Sequence, residues 1–71
     1  MEDYVRKIVD TLSEKLGKNN VVARYDMEQE MFYVVVKNVF GLTTYTLDRD
    51  WIEYEFDETM ETILRDYVRL G

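Results

Sequence analysis

The sequence predicts an α+β fold in the order helix, three or four antiparallel strands, helix. Three observations predict it. Apolar residues recur at three- and four-residue intervals at both ends, the middle is rich in β-branched and aromatic residues that alternate or run together, and the strand candidates are separated by the short segments Glu28-Gln29-Glu30 and Asn38 to Gly41. No repeat, low-complexity tract or linker interrupts the 71 residues, so a single compact domain is expected over 1–71. A domain this small buries only about 60% of the surface its unfolded chain exposes, and nearly every large apolar residue is needed for the core.

The first helix is expected over residues 3–16. Val5, Ile8, Val9, Leu12 and Leu16 share one stripe, while Arg6, Lys7, Asp10, Glu14 and Lys15 face water. Gly17 ends it in a left-handed conformation, and Lys18-Asn19-Asn20 continues as a polar turn. Residues 21–27 alternate as a half-buried strand, with Val21, Ala23, Tyr25 and Met27 on one side and Val22, Arg24 and Asp26 on the other. After Glu28-Gln29-Glu30, the run 31–37 forms the second arm of a hairpin. Both its faces are apolar (Phe32, Val34 and Val36 against Met31, Tyr33 and Val35), so it is expected to be central and covered on both sides. A third strand over 42–47 carries three threonines and a tyrosine, suited to a partly exposed face.

Residues 51–56 fit two periods. Alternation makes a fourth strand with Ile52, Tyr54 and Phe56 on one face; helical spacing makes Asp48 an N-cap and stacks Ile52, Phe56 and Met60. The approach Thr46-Leu47-Asp48, a strand delivering the chain to a cap, favours a short helix near 49–55. A last helix follows, with Asp57 as its cap, Met60, Ile63, Leu64, Tyr67 and Val68 as its apolar stripe, and Gly71 as its end.

Charge is the most informative feature for function. Fifteen acidic and nine basic side chains give a net charge of −6. From Asp48 to Glu61, seven acids stand against one base, Arg49, which accounts for the whole excess; the rest of the chain is balanced. Such a field repels phosphate backbones, so direct binding to nucleic acid or to an anionic membrane is not expected.

The residue types absent also exclude chemistry. Without cysteine or histidine there is no disulfide framework, thiolate nucleophile or common metal ligand. Ser13, placed on the polar side of the first helix, has no histidine to activate it, and the three glycines stand apart rather than in a phosphate-cradling loop. Asp50 with Glu53, or Asp57 with Glu61, could pair for acid–base work, but solvated helix charges explain them more simply. The alternate acids Asp26, Glu28 and Glu30, and the spacing Asp48-x-Asp50-x-x-Glu53, lack the glycine and closing glutamate of a calcium loop. A non-enzymatic protein without metal or cofactor is expected. No apolar stretch approaches the roughly 20 residues of a membrane span, and Met1-Glu2-Asp3 has the wrong charge for a leader, so a soluble cytoplasmic protein is expected.

If 49–61 is mainly helical, Asp50, Glu53, Asp57 and Glu61 form a row about 16 Å long on one face. A row of this kind resembles a short run of phosphates. With Asp48 and Glu58, and with Trp51 and Tyr54 as aromatic anchors, it would contact a basic surface on a protein partner. In size, acidity and element order the chain resembles the small inhibitors encoded by phages and other mobile elements, some anti-CRISPR proteins among them. That likeness is architectural and rests on no diagnostic residue; it implies occupation of a nucleic-acid site on a larger enzyme, in the host cytosol. The alternative is a small homodimeric structural or accessory protein. A three-stranded sheet with both helices on one side would leave Met31, Tyr33 and Val35 open for self-association.

Overall fold

A computed structural model describes residues 2–70. Over that span the chain runs α1 (Glu2–Leu16), a 3₁₀ turn (Lys18–Asn20), β1 (Val21–Asp26), β2 (Met31–Asn38), β3 (Gly41–Asp48), α2 (Arg49–Tyr54) and α3 (Phe56–Leu70). The α+β order holds, and residues 51–54 resolve to helix α2 with Phe56 opening α3, leaving a three-stranded antiparallel sheet. Gly71, expected to close the last helix, lies outside the described residues.

Helix α1 opens on Glu2 and Asp3 and has Lys15 in its last turn, each placed against the opposite end of the backbone dipole. Gly17 follows at φ 96°, ψ 142°. Its φ is positive as expected, but its ψ is extended, so the chain leaves the helix in a conformation reserved for glycine rather than in the left-handed helical one. The Asn20 side chain donates to the Leu16 carbonyl at 2.6 Å, satisfying one of the orphan acceptors of the last turn.

The strands pair in the order β1-β2-β3, with Val21 opposite Val36, Tyr25 opposite Phe32, Val36 opposite Thr43 and Met31 opposite Asp48. At the first turn the Asp26 carboxylate accepts from the Glu28 and Gln29 amides, and Glu30 takes a positive φ of 55°. At the second, neither loop residue, Val39 or Phe40, has positive φ; Gly41 carries it at 124°.

One contiguous core lies between the helices and one face of the sheet. Ile8, Leu12 and Leu16 of α1 meet Phe32, Val34 and Val36 of β2, with Val21 beside them and Ile52, Phe56, Met60 and Ile63 closing the other side. Tyr4 and Tyr25 pack on the Phe32 ring at centroid distances of 6.3 and 4.7 Å. The Tyr45 hydroxyl donates to the Asp66 carboxylate and ties β3 to α3. Burial, and then that carboxylate, push the Tyr45 pKa up to about 12.

Two expectations are corrected here. Strand β2 is central, but it is covered on one face only: its burial alternates strictly, and no described element packs over Met31, Tyr33 and Val35. All three helices lie on the Phe32 side, because only there do β1 and β3 also present Val21, Ala23, Tyr25, Tyr45 and Leu47. Ser13 does not stand on the polar side of α1; its hydroxyl, like that of Thr59, is buried with no hydrogen-bond partner among the described residues.

Candidate partner-binding surface

The acidic segment begins where β3 becomes α2 without an intervening loop. Asp48, extended at φ −69°, ψ 140°, caps α2 by accepting from the Asp50 amide at 2.9 Å. Arg49, the one base of the segment, is shared between the first hairpin and the acid that follows it. Its guanidinium lies 3.3 Å from the Glu30 carboxylate, and its amide donates to the Glu30 carbonyl at 3.1 Å, so the first hairpin latches the start of α2. Glu30 beside it raises the Arg49 pKa above its ordinary value. A second contact, 3.5 Å to Asp50, occupies one more acid of the segment.

Helix α2 has six residues, far too few to persist alone, and a single side chain, Ile52, anchors it in the core. That leaves the rest of α2 outward. Trp51 is 58% exposed and Tyr54 86% exposed, among Asp50, Glu53, Asp57 and Glu58, which are exposed as well. Beside Trp51 runs a shallow open groove of about 520 Å³ lined by Thr46, Leu47, Asp48 and Asp50. Two carboxylates beside an indole ring provide an ion-pair partner and a π face for a cationic side chain.

The continuous acidic row does not form. At Glu55 the backbone leaves helical geometry (φ −124°, ψ 41°): its amide closes α2 on the Trp51 carbonyl, and its own carbonyl accepts the Thr59 amide that opens α3. Asp50 and Glu53 therefore ride on α2, while Asp57, Glu58 and Glu61 ride on α3. Glu55 holds the cap position expected of Asp57, which lies with Glu58 inside the first turn of α3. Hydrogen bonding to Glu58, and then its charge, raise the Glu55 pKa, because two anions this close favour retaining a proton.

Asp26, Glu28 and Glu30, weighed above as metal ligands, serve the hairpin: Asp26 caps the turn and Glu30 pairs with Arg49. Among the described residues no three acidic side chains converge as a cation site would require. Nor is any described helix long and apolar enough to cross a membrane. Two participants escaped the sequence reading. Glu55 counted only as one acid among seven, and no glycine or proline marks the break beside it; Arg49 counted as a base in the segment, and only the hairpin register brings it to Glu30.

No protein-family model matches the chain, and comparison with curated proteins and with solved structures finds no similar one.

Proposed function

We propose that the protein is a non-enzymatic binding module that presents the surface Asp48, Asp50, Trp51, Glu53, Tyr54, Asp57, Glu58 and Glu61 to a basic site on a protein partner. The observation that carries this reading is the exposure of Trp51 and Tyr54 amid carboxylates. A surface kept acidic for solubility has no use for a solvated indole and phenol, whereas binding surfaces concentrate Trp and Tyr as anchors. The groove beside Trp51 suits an arginine or lysine of the partner, and the acids on α2 and α3 would steer the encounter. Inhibition by occupying the site where a nucleic-acid enzyme grips phosphates is the concrete form of the proposal. The surface is in two parts, so it would imitate separate phosphate contacts rather than one unbroken strand.

The test uses the full chain as bait in extract of the source cell, beside two triple reversals. Asp50, Glu53 and Asp57 to lysine alters the proposed surface; Glu2, Asp10 and Glu14 to lysine alters α1 instead. Each shifts the net charge by six, from −6 to zero, so overall charge is matched. The expected result is a nucleic-acid-binding protein retained by wild type and by the α1 variant, lost from the surface variant, and released by salt or by competing nucleic acid. Equal retention by all three baits, or none by wild type, refutes the proposal.

A further inference from the structure

The uncovered face of the sheet mixes Arg24, Thr44 and Thr46 with more apolar side chains than a water-exposed antiparallel face normally presents. Val22 is 64% exposed and Leu42 72% exposed. The register makes them neighbours: Val22 pairs with Val35, Val35 lies diagonal to Leu42, and Tyr33 and Met31 continue the same face along β2. The Arg24 guanidinium lies over the Tyr33 ring at 4.8 Å, so one positive charge sits on the patch itself. Contiguous apolar surface of this kind marks an interface.

The charges on this face say what covers it. Lys37 stands at one end of the face; Asp26 and Asp48 flank Met31 at the other, where Arg24, one pair inward, offsets one of the two and leaves that end acidic by one charge. Six residues of strand, about 20 Å, separate the two poles, which is more than twice the ~8 Å over which salt screens them from each other. A face basic at one end and acidic at the other is complementary to itself when turned end for end. We propose that two copies of this chain pack open face to open face about a two-fold axis that runs across the strands. Strand β2 then lies antiparallel over β2 of the second copy, Tyr33 of each over Val35 of the other. Each Lys37 falls between Asp26 and Asp48 of the opposing copy. An axis along the strands is rejected, since it would set Lys37 against Lys37 and Asp26 against Asp48.

Size fixes the strength to expect. Three strands about 4.8 Å apart and about 20 Å long make a face smaller than the roughly 800 Å² per partner of a standard interface, which gives a weak dimer, half-formed at tens to hundreds of micromolar.

Sedimentation equilibrium of the full chain, from about 10 µM to 1 mM, tests this, with circular dichroism to verify that each variant is folded. Wild type is expected to dimerise over that range, with Val35→Asp monomeric throughout. Lys37→Glu alone should weaken self-association about tenfold or more, because it sets like charges together at both ends, and Asp26→Lys alone should weaken it less, because Lys37 keeps Asp48 opposite it. Mixed together, these two variants should form a heterodimer tighter than either homodimer and weaker than wild type, since one end keeps Lys37 between two aspartates while at the other position 37 meets one opposite and one like charge. A wild type that stays monomeric at 1 mM overturns the dimer. A dimer that Lys37→Glu and Asp26→Lys do not weaken, or whose mixture shows no recovery, overturns the arrangement.

Discussion

Replacing Ile52 by alanine is expected to destabilise the protein by about 3 kcal/mol. Ile52 is fully buried, and the substitution deletes three carbons from the core. At about 0.8 kcal/mol for each carbon, the transfer loss is roughly 2.4 kcal/mol, and the cavity left behind adds to it. Alanine is the better helix former, but by only a few tenths of a kcal/mol, so packing decides the sign. A 71-residue domain has roughly 4–10 kcal/mol in all, which makes this a large fraction of the total. Urea unfolding reads it directly: with a slope near ~1 kcal/mol/M for so small a chain, the midpoint should fall by about 3 M. Ile52→Val, with one carbon removed, should lose about 1 kcal/mol. Trp51 is next in sequence, so its fluorescence reports α2, while far-ultraviolet dichroism reports the whole fold. In wild type the two transitions should coincide, because α2 has no stability apart from the core it docks against. A loss below about 1 kcal/mol in the alanine variant, or fluorescence that melts before dichroism in wild type, would refute the claim that Ile52 holds α2 in place.

Two further outcomes follow from the fold. Tyr45→Phe removes the bond to Asp66 and should lose about 1–2 kcal/mol near pH 8. The folded-state pKa is raised from 10.0 to about 12, so the Tyr45 contribution is complete below pH 10 and is lost as pH rises through the folded value. The gap between wild type and variant in urea should therefore narrow by about pH 11, and a constant gap would contradict the assigned bond. Gly41→Ala places a Cβ in open space, with nothing within 4 Å, at a φ of 124° that side chains rarely adopt. The expected loss of about 1–3 kcal/mol is backbone strain alone, visible as a lower melting temperature. An unchanged melting temperature would mean that the β2–β3 turn does not require the positive φ.

Periodicity made most of the fold legible. Helix α1 and the stripe of α3 as far as Tyr67 follow from spacings of three and four, although Val68, expected in that stripe, is 74% exposed; the sheet follows from short turns and dense β-branched residues. Asp48 as a cap could also be foreseen, since a carboxylate between a strand and an apolar helical spacing satisfies orphan amides. The break at Glu55 was foreseen only approximately: a short helix near 49–55 and a cap at Asp57 set it about two residues late. Ile52, Phe56, Met60 and Ile63 are spaced as well for one continuous helix as for two, and only docking against the sheet decides between them. The single coverage of β2 was partly readable. Its own two faces are equally apolar, but across the register Arg24, Thr44 and Thr46 lie on one side and Tyr25, Tyr45 and Leu47 on the other. Neighbouring strands, not β2 itself, select the face that is buried. Of the candidate surface, composition gave the charge and the exposed aromatics required the structure, because a Trp beside a buried Ile in a short helix could equally have been core.

The Glu55 joint leaves the chain no slack. Ile52 and Phe56, on either side of it, are both sunk in the core, so the number of residues between them cannot change without withdrawing one of the two. One inserted residue would also rotate whatever remained helical by about 100°. Substitutions at the outward positions of α2 meet no such constraint. The outward side of α2 can therefore vary in chemistry while its length stays fixed, so substitutions there should be tolerated by the fold and insertions should not.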